Sequence, residues 1–274
     1  MNKFTADFLK TKKVIGMIHV NALPGTPNNK YSISSIIVKA IQEAELYEAC
    51  GLDAVILENM HDVPYLNREV GPEITAAMTA ITTRVKSKVS IPCGVQILAG
   101  ANLEALAVAN ASECDFIRVE GFVYSHIADE GLMNACAGEL MRVRKYIDAE
   151  NVAVFADIKK KHSSHSITGD LDLRDFADAC HFFQADSVIV SGSSTAKEAN
   201  LEELQDLWKT TKLPVLIGSG ITAENISKYW DFANGFIIGS YFKKGGKWQN
   251  TVLEENVVNL MNKIKSLRSL NIDC

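Results

Sequence analysis

The segment Val152-Ala-Val-Phe-Ala-Asp-Ile-Lys-Lys-Lys-His-Ser-Ser-His165 has the pattern of a buried strand that runs directly into a group of charged and polar side chains. Side chains alternate across a strand, so Phe155, Asp157 and Lys159 are predicted to share one face. A buried carboxylate and ammonium are costly unless they are paired, solvated or bound to a ligand. The segment therefore predicts a core strand with an Asp157–Lys159 ion pair at its carboxyl end, and a functional site there.

Short β-rich runs like this one recur along the chain, with helical patterns between most of them, as at residues 33–50 and 134–147. The runs cover residues 14–20, 54–58, 93–98, 116–120, 152–157, 187–191, 215–219 and 236–240. Alternation of strand and helix implies parallel pairing, and eight repeats imply closure. An open doubly wound sheet is the rival, but residues 21–27 lack its Gly-x-Gly-x-x-Gly turn. We predict an α/β fold, a single (β/α)8 TIM-type barrel domain over residues 1–274.

Length, charge and composition limit the classes of protein to which the chain can belong. A length of 274 residues with 47% hydrophobic content suits one such barrel. The net charge of -5 provides no basic field for nucleic acid. The amino terminus lacks an apolar signal core, and no apolar run reaches the roughly 20 residues of a transmembrane segment. The chain has six cysteines without a Cys-x-x-Cys pair, which is typical of reduced thiols. We expect a cytoplasmic protein, with an organellar location left open, that forms a homo-oligomer through apolar helix faces.

Polar residues stand at the carboxyl end of nearly every predicted strand, where barrels of this kind hold their ligands. The catalytic candidates are Asp157, Lys159, Glu58 and His19. The substrate-binding candidates are Asn59, Gln96, Arg118, Glu120 and Ser191, together with His162 and His165 of the polar loop to Gly169, which could close over a ligand. In a purely structural repeat, polar residues are expected mainly in loops and on outer helix faces.

Several of these residues have other interpretations. His19 could be a core histidine bonded to a carbonyl group, and Arg118 and Glu120 could form an internal ion pair. A Schiff base on Lys159 is disfavoured because a facing carboxylate raises the pKa of the ammonium. Proton transfer or anion binding is the role predicted for Lys159.

A divalent metal is a further possibility. Glu58 precedes His61 closely, and Asp157 and His162 could add ligands, although this spacing fits no specific metal motif. The sequence therefore assigns no metal ligand or other cofactor, and a divalent metal stays an open alternative.

Two glycine-containing turns near the end of the chain are typical of phosphate sites. Gly218, Ser219 and Gly220 follow the seventh run, and Gly239 and Ser240 close the eighth. Barrels that bind phosphorylated ligands commonly hold the phosphate with the loops after strands seven and eight, where glycine lets backbone N–H groups approach the oxygens. These five residues are the predicted phosphate-binding residues.

Motifs in these same segments resemble the BtpA/SgcQ family from about residue 13 to about residue 265. They are Val14-Ile-Gly-Met-Ile-His-Val-Asn-Ala-Leu-Pro-Gly-Thr-Pro27, Glu58-Asn-Met-His-Asp-Val-Pro-Tyr65, Gly71-Pro-Glu-Ile-Thr75, Asp115-Phe-Ile-Arg-Val119, Ala128-Asp-Glu-Gly131, Asp157-Ile-Lys-Lys-Lys-His-Ser163 and Gly218-Ser-Gly220. The resemblance implies a TIM-barrel-like fold. It also implies a link to photosystem I biogenesis as a peripheral membrane protein, or to sugar uptake, without one settled activity.

One segment departs from the family. Where many bacterial members have a segment like Asn-Val-Leu-Arg-Asn-Asp, this chain has Gln96-Ile-Leu-Ala-Gly-Ala101, without the arginine and the acid. The favoured hypothesis is an enzyme, an isomerase, lyase or hydrolase, that acts on a small phosphorylated metabolite such as a sugar phosphate or phosphoribosyl compound by acid–base chemistry. The alternatives are an assembly scaffold and a metal-dependent hydrolase or lyase.

Overall fold

Parallel strands close into an eight-stranded barrel in the computed structural model, which describes residues 2–192, 198 and 200–270. The strands are β1 Lys13–His19, β2 Ala54–Glu58, β3 Cys93–Gln96, β4 Phe116–Val119, β5 Ala153–Ile158, β6 Ser187–Val190, β7 Val215–Ile217 and β8 Gly235–Ile238. Each strand pairs with its neighbours in chain order, and β8 closes the ring against β1. The predicted TIM-type barrel is confirmed.

Helices follow the strands in turn and cover the outside of the barrel. They are Ile33–Ala49, Pro72–Lys86, Asn102–Ala111, Ala137–Tyr146, Leu173–Phe182, Leu201–Thr210, Ile226–Tyr229 and Glu254–Leu270. Local sequence explains several starts: Ser32 accepts the Ser35 N–H, and Asp172 and Asp175 form a capping box. No helix within the described ranges is both long and apolar enough to cross a membrane.

Alternation along each strand divides the core into two parts. On β5, Phe155 points into the barrel interior, where it packs with Ile15, Ile56 and Phe116. The alternate residues, such as Val154, pack outwards against the helices. Cys50, Cys93, Cys114, Cys136 and Cys180 are free thiols, while Cys274 lies outside the described residues. The face of β5 that carries Phe155 also carries Asp157, so that carboxylate lies inside the barrel mouth.

A short helix, Lys3–Phe8, closes the amino-terminal end of the barrel. The Asn2 side chain caps it by accepting the Phe4 N–H at 2.7 Å. The Phe4 ring stacks on Phe116, with 6.1 Å between centroids, and Phe8 packs beside it. These rings extend the interior core across the end of the barrel opposite the predicted site.

Replacing Phe4 with alanine should lower the free energy of unfolding by about 2 kcal/mol, because a part-buried aromatic ring leaves the end of the interior core. Urea unfolding followed by circular dichroism measures the change. The same substitution at Phe182, whose side chain is 80% exposed, is the control and should change stability by less than about 0.5 kcal/mol. Equal losses in the two variants would contradict a packing role for Phe4.

A small antiparallel sheet lies between the loops that follow β4 and β5. Strand His126–Ala128 pairs with Gly131–Met133 on one side and with Ser163–Ser164 on the other. The segment predicted as an open polar loop is therefore partly a strand. We call residues 159–165 the lysine loop, which this pairing holds in place.

Candidate active site

A cavity of about 540 Å³ opens at the carboxyl ends of the strands. We call it the mouth cavity. The predicted site residues that line it are His19, Glu58, Arg118, Glu120, His162, Gly218, Ser219, Gly220, Gly239 and Ser240. The register explains part of this grouping, because His19 pairs with Glu58 and Glu58 pairs with Gln96 across three adjacent strands. Residues distant in sequence thus meet around one opening.

Glu58 and His19 form the acid–base part of the cavity wall, with 3.7 Å between Glu58 Oε2 and His19 Nε2. Burial raises the pKa of Glu58 to about 7, although Arg118 and Lys161 favour its charged form. Burial also lowers the pKa of His19 well below its usual value. The Trp248 carbonyl oxygen, 3.1 Å from His19 Nδ1, can only accept, so Nδ1 carries the proton. At neutral pH, Glu58 can give or take a proton beside a neutral histidine.

Asp157 is paired with Arg118 beneath the cavity. Arg118 Nε donates to one carboxylate oxygen at 2.8 Å and Nη2 donates to the other at 3.0 Å, and the two side chains are 5% and 2% exposed. Asp157 is not among the residues that line the mouth cavity. The bidentate pair holds the Arg118 guanidinium in place, so Asp157 acts as a positioning group in this geometry.

The predicted ion pair between Asp157 and Lys159 is wrong. β5 ends at Ile158, and Lys159 has a left-handed backbone with φ of 44°, so the alternation of the strand no longer applies to it. Lys159 Nζ donates to the Leu171 carbonyl group and lies 5.8 Å from the Phe176 ring centroid. Lys159 therefore points away from the mouth cavity and is removed from the catalytic candidates.

The suggested ion pair between Arg118 and Glu120 is also wrong. Glu120 instead accepts from Lys160 at 2.9 Å and from Gln96 Nε2 at 3.2 Å. Burial opposes the charged form of Glu120, but the Lys160 ammonium lowers the pKa of the carboxyl group below its usual value. Glu120 is consequently a fixed carboxylate, in contrast to Glu58, whose proton is exchangeable near neutral pH.

Lys161 lines the mouth cavity and was not among the predicted site residues. Its part-buried ammonium makes neither a hydrogen bond nor an ion pair within the part of the chain that the structure describes. Burial, followed by the positive charge of Arg118, lowers its pKa. Lys160 also lines the cavity and was not predicted; the run of three lysines was visible in the sequence, but the turn at Lys159 decides that the second and third reach the cavity.

Other predicted residues support the site without lining it. Asn59 accepts the Leu98 N–H at 2.8 Å and donates to Asp62, which fixes the turn after β2. His165 Nε2 lies 3.0 Å from the Lys160 carbonyl oxygen and so braces the lysine loop. Ser191 Oγ is buried without a hydrogen-bond partner among the described residues. Gln96, which holds Glu120, belongs to this supporting set.

The glycine turns after β7 and β8 form the adjoining wall, next to His19. A Cβ atom on Gly239 would lie 3.2 Å from His19 Nε2, and one on Gly218 would lie 2.7 Å from Ile189 Cγ2 and 3.3 Å from Arg118 Nη2. The backbone N–H groups of Ser219 and Gly220 have no acceptor in the described ranges. The wall can therefore offer backbone donors to an anion.

The suggested metal ligands each contact a different partner. His61 packs on Trp248, with 5.0 Å between ring centroids, and burial lowers its pKa to about 4. Asp157 is bound by Arg118. Residues 2–192, 198 and 200–270 contain no group of three His, Cys, Asp or Glu side chains that could hold a metal ion.

Aromatic residues of the cavity wall were also not predicted from the sequence. Tyr65, Tyr241 and Trp248 line the cavity from loops beyond the strand ends. Their local sequence does not distinguish them from other aromatic residues in loops. In the structure, the carbonyl oxygen of Trp248 accepts a hydrogen bond from His19 Nδ1.

The closed barrel with polar side chains around a cavity at its carboxyl end defines a protein of the TIM-barrel class. A model of the BtpA family matches residues 10–266, and the chain belongs to that family. An uncharacterized mitochondrial protein of Caenorhabditis elegans is 48% identical, covering 93% of this chain and 94% of the relative. Photosystem I biogenesis protein BtpA of Synechocystis is 35% identical, covering 85% of this chain and 81% of the relative. The resemblance inferred from sequence motifs is confirmed.

Solved structures agree on the fold. Phosphoribosyl anthranilate isomerase from Thermus thermophilus superimposes with a TM-score of 0.57 and 15% identity, covering 93% of this chain and 99% of that chain. At this identity the likeness concerns the barrel alone.

Proposed function

We propose that this protein is an enzyme that acts on a small phosphorylated metabolite, a sugar phosphate or a phosphoribosyl compound, by acid–base chemistry in the mouth cavity. The observation that carries the proposal is that Glu58 and the two glycine turns line the same cavity of about 540 Å³. A cavity of that size suits a small metabolite. Its two walls offer different chemistry to the two ends of such a molecule.

The glycine turns are the proposed phosphate end. The N–H groups of Ser219 and Gly220, which have no acceptor among the described residues, and the hydroxyl groups of Ser219 and Ser240 are suitable donors to phosphate oxygens. Their position after β7 and β8 is the one that phosphate-binding barrels commonly use. The isomerase with a similar barrel is, by its name, an enzyme of a phosphoribosyl compound, which supports this class of ligand.

Glu58 is the proposed proton carrier. A general acid or base works best when its pKa lies near the working pH, and burial raises the pKa of Glu58 to about 7. Neutral His19 presents Nε2 to the same space and can accept a hydrogen bond from a substrate hydroxyl or from protonated Glu58. Isomerisation, lyase and hydrolase reactions all use such a proton transfer, and the phosphate wall fixes which carbon of the ligand faces Glu58.

A thermal-shift measurement with ribose 5-phosphate, inorganic phosphate and unphosphorylated ribose tests the phosphate end. A ligand at 100 times its Kd stabilises the native state by about 2.7 kcal/mol, so we expect the phosphorylated sugar to raise Tm by roughly 5 °C. Ribose should have no effect. Gly239→Ala places a methyl group against His19 and should reduce the shift, with its fold checked by circular dichroism.

The outcome that contradicts the proposal is a flat response to sugar phosphates, nucleotides and phosphoribosyl compounds. A flat response would favour a non-catalytic assembly role, which the name of the Synechocystis relative suggests.

A further inference from the structure

Resting on the proposed function, we infer that Lys161 is a reactive amine that forms an imine with the carbonyl group of a phosphorylated aldehyde or ketone bound in the mouth cavity. The inference rests on how the lysine loop distributes three consecutive ammonium groups among three different surroundings. The second and the third line the mouth cavity, and of these two only the third has no hydrogen-bond or ion-pair partner among the described residues.

The first two lysines already have partners. Lys159 donates to the Leu171 carbonyl group outside the mouth cavity, and Lys160 donates to the Glu120 carboxylate at 2.9 Å. Lys161 lines the cavity, and no acceptor within residues 2–192, 198 and 200–270 receives its ammonium. A part-buried amine that faces a cavity without a counter-ion within bonding distance can react without breaking a native contact.

Burial and the Arg118 guanidinium favour the free amine of Lys161, and together they outweigh the carboxylates around it. Lys161 is surrounded by His19 on β1, Glu58 on β2, Arg118 on β4, Glu120 directly after β4, and Asp157 on β5. Arg118 neutralises Asp157 and Lys160 neutralises Glu120, which leaves Glu58 as the remaining acid. Burial and Arg118 together lower the pKa of Lys161, whereas Glu120 raises the pKa of Lys160 in spite of burial. A desolvated lysine next to another cation is the usual setting of an amine nucleophile.

The small sheet keeps Lys161 over the cavity. Ser163 and Ser164 pair with Ala128 and Ile127, beginning two residues after the lysine. On the other side Lys160 is anchored to Glu120. Lys161 therefore lies between two fixed points, which limits the conformational freedom that it would lose on reaction.

The proposed step balances with the groups of the cavity. The nitrogen lone pair of neutral Lys161 adds to the carbonyl carbon, and the carbonyl oxygen takes the proton of the Glu58 carboxyl group. The ammonium centre of the resulting carbinolamine returns a proton to the Glu58 carboxylate. Glu58 then protonates the hydroxyl group, which leaves as water while the nitrogen lone pair forms the protonated imine, and this imine returns its N–H proton to the Glu58 carboxylate to leave the neutral imine. The step consumes a carbonyl compound and an amine, and it needs no oxidant or reductant.

Pyridoxal 5'-phosphate is a suitable probe because it joins an aldehyde to a phosphate. The full chain is incubated with the probe at pH 7, reduced with borohydride and digested, and the adduct is located by mass spectrometry. We expect one dominant adduct, on Lys161, which inorganic phosphate suppresses by competition. Lys161→Arg should lower total labelling by roughly tenfold, since arginine forms no such imine, while Lys159→Arg, the matched control, should leave it unchanged. Adducts spread over surface lysines, or centred on Lys159 or Lys160, would overturn the inference.

A second measurement separates this inference from the proposed function. Amine labelling across pH 6 to 11 compares Lys161 with Lys160 within one peptide, and Lys161 should reach half-maximal reactivity at the lower pH. If phosphorylated sugars raise Tm but Lys161 neither labels first nor forms the adduct, the imine is excluded and the phosphate site remains. If no phosphorylated sugar shifts Tm although Lys161 reacts, the amine is reactive and the phosphorylated substrate class is wrong. Failure of both measurements removes both proposals.

Discussion

Replacing Arg118 with methionine should lower the free energy of unfolding by about 3–5 kcal/mol, because it leaves the Asp157 carboxylate buried without its partner. Both hydrogen bonds to the guanidinium are lost, and the site is too deep for water to replace them fully. Urea unfolding at pH 7 measures the difference. We expect the loss to be among the largest of any single substitution at the barrel mouth.

A double-mutant cycle identifies the cause of that loss. The double variant Arg118→Met with Asp157→Leu carries no buried charge at this position, so it should be more stable than Arg118→Met alone by about 2 kcal/mol or more. Arg174→Met breaks an exposed pair with Asp172 and is the matched control, with an expected cost below about 1 kcal/mol. Additive losses in the cycle would show that the buried pair is not the source of the effect.

Replacing Glu58 with glutamine should change how stability depends on pH. The pKa of Glu58 is about 7 in the folded protein against 4.5 when it is unperturbed. Between these pH values the unfolded chain releases a proton that the folded chain retains, so this residue lowers the free energy of unfolding as pH rises. The total is about 3 kcal/mol, since one pKa unit corresponds to about 1.36 kcal/mol.

The test is therefore to measure the free energy of unfolding of Glu58→Gln and of the unsubstituted protein across pH, and to take the difference between the two profiles. Relative to the unsubstituted protein, Glu58→Gln should gain about 3 kcal/mol of stability between pH 4 and pH 8, with most of the gain between pH 4.5 and pH 7. Glu45→Gln, on an exposed helix face, is the control and should show no such gain. A flat difference profile for Glu58→Gln would mean that Glu58 has the same pKa in the folded and the unfolded protein, and Glu58 would lose its role as proton carrier.

The barrel was predictable because one pattern recurs eight times, so errors in single elements do not change the topology. The ends of the elements were less predictable. The run ending at residue 98 stops as a strand at Gln96, and the Leu98 N–H is bound by Asn59 in place of a neighbouring strand. The helix expected from residue 134 begins at Ala137 because Gly131–Met133 forms a strand of the small sheet. Helix Lys3–Phe8 is too short to show a periodic pattern.

The candidate site was predictable up to the point where the strand pattern ends. Alternation put Asp157 on the same strand face as Phe155, and the position of Glu58 at a strand end put it at the same end of the barrel. Alternation could not be extended to Lys159, because its left-handed backbone ends the strand pattern and turns it away from the cavity that Lys160 and Lys161 line. The partner of Asp157 lies on the neighbouring strand β4, and such a contact depends on side-chain reach across the barrel, which local sequence does not encode.

The small sheet also limits how the segments over the mouth cavity can open. Its central strand belongs to the segment after β4 and one outer strand belongs to the segment after β5. The link between Glu120 and Lys160 joins the same two segments closer to the barrel. Any opening by either segment has to carry the other with it or break backbone pairing and an ion pair together. Under the proposed function, admission of a ligand and withdrawal of Lys161 would therefore be a single coupled movement, and its rate would limit turnover when the chemistry is fast.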